Sequence, residues 1–380
     1  MAATSLCGDS LVAMMSRETS KAYRAMKQFE KELTCANEGD CAAWLRSLLV
    51  LPHSSLGYNF MLLRRCIDGS FLDSDSSDGD DDDQDSLADW MLQGLVEQND
   101  ALLEISRQFS VNTTAFHESA LFEWLQLVHA LVLKTHDVFP LMVWSNVMLP
   151  LLGESSEIAQ FNQVELLSTL VDVAGALEDK PDAPPFAALV SSCLFGPLPF
   201  PVAQAFSSDN TSNGVGYFIG HACLPYTQQW LRLLFHVLVI DPSVADSSWP
   251  FPALAPSCFR QSLLKIAAEE DDVLVDLAHV CLRFCSQQSP VQNATTSMAT
   301  ILRKECAPAL IFADFCAAIN DDHLVLIDLL SSDGKLSFQA APCDFVCRNK
   351  CPGISCRYLS VYLFQLAHLR ITVASSWPSR

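Results

Sequence analysis

Charge is what this chain has least of: only 18% of its 380 residues are Asp, Glu, Lys or Arg. The charge that is present leans one way, with 44 acidic against 23 basic side chains and a formal net charge of −21. A field of that sign repels phosphate backbones and anionic headgroups, which argues against direct nucleic-acid binding. Glycine and proline, at 14 and 19 residues, are too sparse for a collagen-like chain, and a 50% hydrophobic content excludes disorder throughout. Strand-like alternation is nearly absent; only KLSFQ near residue 337 and GVGYFI at 214–219 read as short extended pieces. No apolar run reaches the roughly 18–20 residues of a membrane span. The two nearest are Val138 to Gly153, interrupted by two prolines, Ser and Asn, and Trp230 to Ile240, which contains Arg232 and His236. Both read as buried core helices.

Catalytic signatures are missing as well. There is no G-x-S-x-G elbow and no G-x-x-x-x-G-K-[ST] loop, and GVGYFIG at 214–220 lacks the third-glycine spacing of a dinucleotide site. None of the nine histidines forms H-E-x-x-H or pairs with another at i, i+4. His129, His236 and His279 sit in apolar helical segments and are expected to be core histidines bonded to an acceptor. The carboxylates Glu269, Glu270, Asp271 and Asp272, like Asp321 and Asp322, stand at the starts of expected helices. Capping and the helix dipole account for them there without catalysis.

Fifteen cysteines is an odd number, and Cys193, Cys223, Cys258, Cys281, Cys306 and Cys316 sit singly in apolar segments, where a thiol behaves as a small hydrophobe. That pattern points to a reducing compartment. The opening MAATSLCGDSLVAMM has no basic n-region, so a cytoplasmic or nuclear protein is expected, with the N-x-S/T triplets at Asn112, Asn210 and Asn293 unused. One cluster is dense: CDFVCRNKCPGISC, with Cys343, Cys347, Cys351 and Cys356. Four thiolates could hold a tetrahedral Zn²⁺, although the spacing is neither two separated knuckles nor an iron–sulfur run; unligated thiols are the alternative. No cofactor is expected.

What is abundant is helical periodicity. Apolar positions recur at helical spacing over 9–34, in two pieces within 40–67, and over 86–109, 114–135, 138–152, 156–178, 183–194, 225–240, 258–268, 270–286, 305–319, 321–332 and 355–374. Between the second and third of these regions lies DSDSSDGDDDDQDS, Asp73 to Ser86, with eight aspartates and no hydrophobic residue. It reads as a disordered acidic loop: either a solvated spacer, or a segment for a basic partner in which Ser74, Ser76 and Ser77 suit acidophilic kinases. The expected organisation is a helical segment at 1–70, an acidic linker at 71–87 and a helical repeat unit at 88–200. An irregular connector with one core helix follows at 201–257, then a C-terminal helical unit at 258–380.

ADWMLQGLVEQNDALLEISRQF (88–109) and RQSLLKIAAEEDDVLVDLAHVCLRF (260–284) share the order apolar helix, acidic pair, apolar helix. Repeated helix pairs suggest an all-α fold: an α-solenoid of armadillo- or HEAT-like pairs, with an irregular multi-helix bundle as the alternative.

The segment AAEEDDVLVDLAHVCLRF (267–284), followed by PALIFADFCAAINDDHLVLIDLLSSD (308–333), resembles the C-terminal part of the Lines protein family. The matching positions are Glu269, Asp271, Asp272 and Leu274, then Asp322, Leu326, Asp328, Leu329 and Ser331; the family's Phe before Asp322 is absent. The resemblance implies a non-enzymatic helical-repeat regulator of developmental signalling and transcriptional control that works by binding other proteins. Independently of it, an acidic helical array without a catalytic constellation reads as an interaction scaffold for partners with basic surfaces. Asp80, Asp81, Asp82, Asp83, Glu269, Glu270, Asp271 and Asp272 are the candidate contacts. A zinc-stabilised domain or metal-dependent enzyme built on the C-terminal cysteines, and an accessory subunit of a larger complex, are the alternatives.

Overall fold

The computed structural model describes residues 19–33, 44–49, 57–68, 82–112, 117–135, 139–153, 158–195, 199–206, 224–245, 256–267, 271–286 and 298–307, with 310 and 314. Among the described residues there are helices and no strands, as the periodicity predicts. In chain order they are α1 (Thr19–Leu33), α2 (Tyr58–Asp68), α3 (Asp82–Glu97), α4 (Asn99–Val111), α5 (Glu118–Thr135), α6 (Leu141–Met148), α7 (Gln160–Leu177), α8 (Ala183–Leu194), α9 (Phe200–Ala205), α10 (Leu224–Ile240), α11 (Pro256–Ala267), α12 (Asp271–Ser286) and α13 (Met298–Glu305). Residues 44–48 add a short helical piece, and Leu149–Leu152 and Pro242–Ala245 are 3₁₀ turns after α6 and α10.

Each helix follows from where its apolar residues fall. In α1, Ala22, Ala25, Met26 and Phe29 recur at i, i+3, i+4 and i+7 and are buried, while Tyr23 is exposed. In α12 the buried stripe is Val273, Leu274, Leu277, Val280, Cys281 and Phe284. His279 falls off that stripe and is exposed, so it is not a core histidine. Helix α10 is apolar nearly all round, buried from Tyr226 to Gln228, at Trp230 and Leu231, and from Leu233 to Val239. Such a helix must be surrounded, and α10 packs against α7, α8, α9, α11 and α12.

Two helices, α3 and α9, begin where the sequence reading has no helix. Helix α3 starts at Asp82, inside the run read as a disordered linker over 71–87. Carboxylates in a first turn complement the positive end of the helix dipole, so acidic residues extend this helix toward its N-terminus. Residues 73–81 lie outside the described residues. The periodic stretch over 86–109, read as two apolar helices joined at an acidic pair, divides at Gln98, whose φ of −100° and ψ of 26° re-aim the chain. Helix α3 therefore packs on α2 and α5 whereas α4 packs on α6. Helix α9 lies in a stretch read as irregular, and its prolines fit the first turn, where a missing N–H costs nothing. The two similar segments both form helix pairs, α3/α4 and α11/α12, but α11 and α12 pack on each other while α3 and α4 turn to different neighbours.

The architecture is set by a row: α2 packs on α5, α5 on α7, α7 on α10, and α10 on α12. Contacts at the helix ends give the direction of most of it. Gly57, before α2, lies against Ala120 near the start of α5, and at the other end Lys134 Nζ donates to the Ile67 carbonyl at 2.5 Å. Asn162 Nδ2, at the start of α7, donates to the Glu118 carbonyl at 3.0 Å, and about three turns further along both helices His129 meets Asp172. Just past the end of α7, Glu178 pairs with Arg283 near the end of α12 at 2.5 Å. The helices α2, α5, α7 and α12 thus run in one direction. A continuous hydrophobic core runs under the row from Ala25 to Cys306.

The last described part holds a thiol cluster. Cys281 and Cys306 are fully buried, and Cys285 Sγ donates to the Cys306 carbonyl at 3.4 Å. Burial, reinforced by the neighbouring thiols, pushes the Cys281 thiol well up and carries Cys285 to about 12. Arg303 lies beside the cluster, its carbonyl facing Cys285 Sγ at 3.8 Å and its guanidinium 4.9 Å over the Phe284 ring.

Candidate functional site

Among the described residues, the polar side chains that bridge helices concentrate on one face of the row. Helix α5 presents Phe122, Gln126, His129 and Leu133 at i, i+4, i+7 and i+11; helix α7 presents Phe161, Glu165 and Asp172. His129 links the two. Its Nδ1 lies 3.0 Å from Glu165 Oε1 and its Nε2 lies 2.5 Å from Asp172 Oδ2. Burial alone would discharge this imidazole, but the two hydrogen bonds and the two negative charges together outweigh it and raise its pKa to about 9. His129 is therefore an imidazolium at neutral pH, bonded as the sequence anticipates but to carboxylates. Because these occupy opposite ring nitrogens, the trio has no shared open position for a metal. Among the described residues no cluster of His, Cys, Asp and Glu suits one.

Further along, Arg232 on α10 donates from Nε to Asp276 Oδ2 on α12 at 2.6 Å and from Nη1 to Gln229 Oε1 at 2.9 Å. One turn on from Arg232 is His236, 8% exposed, whose buried Nδ1 has no hydrogen-bond partner among the described residues. Its expected acceptor is not there. Burial holds its pKa down to about 4; Asp276 and Asp172 pull the other way, and Arg232 and Arg283 add to the depression. One face thus carries a charged histidine and a neutral one, separated by their surroundings.

Between these groups is an open groove of about 290 Å³, lined by Val132 and Leu133 of α5, Val171, Asp172, Gly175 and Ala176 of α7, Arg232 and His236 of α10, and Asp276 of α12. Gly175 keeps it open: a Cβ built there meets no atom within 4 Å. At the aromatic end of the face, Phe122 and Phe161 stand edge to face at 5.7 Å, and Phe161 is half exposed.

The residues singled out from the sequence fall elsewhere. Asp82 and Asp83 open α3, and Asp271 and Asp272 open α12. Helix α3 packs on α2 and α5 while α12 packs on α10 and α11, so the two acidic starts belong to different parts of the array. Asp80, Asp81, Glu269, Glu270, Ser74, Ser76, Ser77, Cys343, Cys347, Cys351 and Cys356 lie outside the described residues. The groove residues were missed because their partners are 36 to 44 positions apart in sequence. The one local signal was Glu165 and Asp172, two turns apart on one face of a helix with no other charged residue.

The fold and this face define an all-α protein with a polar, grooved helix row, and among the described residues no helix is long and apolar enough to cross a membrane. Comparison with protein-family models, curated proteins and solved structures returns no match for the chain.

Proposed function

We propose that this protein is a non-enzymatic interaction scaffold, a helical array of the armadillo or HEAT kind that binds other proteins along the exposed face of its helix row. The observation that carries the reading is the row itself: α2, α5, α7, α10 and α12 pack each on the next, and α2, α5, α7 and α12 point one way. Stacking of this sort leaves a continuous surface to which every helix contributes one strip. Its ionised side chains are largely engaged with one another across helix boundaries, as in His129 with Glu165 and Arg232 with Asp276. A net charge of −21 suits partners with basic surfaces and makes encounter rates fall with salt. The resemblance to the Lines family adds developmental signalling and transcriptional control as the setting, in cytoplasm or nucleus.

Affinity capture of the full chain from native lysate, in parallel with a variant carrying Asn at Asp80, Asp81, Asp82 and Asp83, tests this. Saturable, salt-sensitive partners common to replicate captures are expected, and those lost from the variant contact the acidic run. A folded chain that captures nothing above background at low salt overturns the scaffold reading.

A further inference from the structure

Among the described residues five large apolar side chains stand exposed, and two of them, Leu133 of α5 and Phe161 of α7, lie on the face of the row. Tyr23, Val111 and Val143 are on α1, α4 and α6, outside the row. On that face Phe161 meets Phe122 at 5.7 Å, and Leu133, further along α5, joins the lining of the groove beside Val132 and Val171. Phe122 and Leu133 mark two apolar ends, roughly 16 Å apart at the helical rise. Between them His129 holds Glu165 and Asp172, one imidazolium against two carboxylates, so the middle of the stripe carries one net negative charge. A stripe that is apolar at both ends and singly charged at its centre is complemented by a cover with the same apolar spacing and the opposite charge.

The chain's own sequence holds such a cover. Residues 345–380 contain five Lys and Arg and no Asp or Glu, in a chain whose net charge is −21. Within them the helix expected at 355–374 has thirteen apolar residues of twenty. At helical spacing Leu363, Leu366, Arg370 and Val373 share its apolar face, whereas Arg357, Gln365, His368 and Thr372 share the other. We propose that residues 355–374 dock along the stripe of α5 and α7, with Leu363 and Val373 on its apolar ends and Arg370 at its charged centre. The register supports this: Leu363 precedes Arg370 by seven positions as Phe122 precedes His129, and Val373 follows Arg370 by three where Leu133 follows His129 by four. Reach is not limiting. Past α13 the chain is held at Asp314, whose Oδ2 accepts from Arg260 Nε at 2.6 Å, and forty residues separate it from Ser355. From α12 to α5 is three helix spacings, about 30 Å, which a connector of that length covers even with a helix inside it. The inference goes beyond the scaffold reading and does not rest on it, because it concerns one chain alone.

The test is photo-crosslinking of the purified full chain, with p-benzoylphenylalanine placed at Phe161, at Leu133 or, as an exposed control outside the row, at Val111, and adducts mapped by peptide mass spectrometry. Positions 161 and 133 should each give monomer-sized adducts to peptides from 355–374, at least about fivefold more than position 111. Arg370→Glu should lower that yield about fivefold, whereas Arg357→Glu, on the other side of the helix, should leave it unchanged. The absence of any adduct between these positions and 355–374 overturns the proposal, and so does equal labelling from position 111. An adduct that Arg370→Glu leaves undiminished, or that both arginine variants lower alike, overturns it too. Adducts found only at twice the chain mass overturn it in favour of a second copy, and adducts found only with other segments of the chain give the stripe a different cover. Capture from lysate is a separate measurement, so a chain that crosslinks as expected yet captures nothing loses the scaffold reading alone.

Discussion

The two ends of the helix row are built from the same parallel packing and finished in opposite ways. Where α2 meets α5 the interface is closed. Gly57 brings the backbone of the α2 start so near that a Cβ would lie 2.9 Å from Ala120 Cα. Behind it Phe60 meets Trp124 edge to face at 5.0 Å, Phe109 stacks on Trp124 at 6.4 Å, and Trp124 Nε1 donates to Ser106 Oγ at 3.3 Å. Where α7 meets α10 and α12, a glycine faces empty space, a buried imidazole nitrogen has no partner among the described residues, and charge pairs stand beside the edge-to-face contact of Phe235 with Phe284. Closed packing maximises stability; the open end gives some of it up and keeps a surface that can still make bonds.

Breaking the closed end should produce the largest effect. Trp124→Ala removes a fully buried ring and its hydrogen bond to Ser106, whose hydroxyl still donates to the Leu102 carbonyl, and we expect a loss of about 3–5 kcal/mol by chemical denaturation. The open end should show itself through pH. His129 is raised from 6.5 to about 9, so its contribution is fully present below pH 6.5 and is lost as pH rises through 9; the shift corresponds to on the order of 3 kcal/mol. Melting curves of wild type against His129→Gln should converge above pH 9 and separate below it. His236 acts on the acid side: held neutral down to about 4, it supports the fold above pH 6.5 and withdraws that support as pH falls toward 4. His236→Phe should flatten that limb. Next in size, Gly57→Ala forces an L-residue to φ +78° and pushes Cβ against backbone, for a loss of on the order of 2 kcal/mol. The smallest effect should have the opposite sign, since Gly175→Ala adds a methyl where nothing obstructs it and should stabilise by about 0.5 kcal/mol. If Gly57→Ala and Gly175→Ala move the melting temperature the same way, the contrast between the two ends is wrong.

Much of the helix content was legible because apolar spacing is a local property. The expected 183–194 coincides with α8, and 225–240 and 270–286 differ from α10 and α12 by a single residue. The joint near Gln98 was legible as the acidic interruption between two apolar stretches, but the direction the chain takes there is imposed by what α3 and α4 pack against. Aspartates look disordered as a run, yet the last of them lengthen a helix. The polar face was legible only through Glu165 and Asp172, because most bonds on it join helices whose adjacency is a tertiary fact. His279 shows the converse limit: an apolar neighbourhood in sequence says nothing about which side of the helix a residue occupies.

The buried thiols of α12 and α13 also make a clock. A thiol alkylates only as thiolate and only when reagent reaches it, and Cys281 is denied both by full burial and by its raised pKa. Labelling of Cys281 therefore waits for α12 to lift from α13, and its rate measures how often this end of the row opens. Should a bound partner slow that labelling, the slowing would report how tightly occupancy fastens the last helices to the rest.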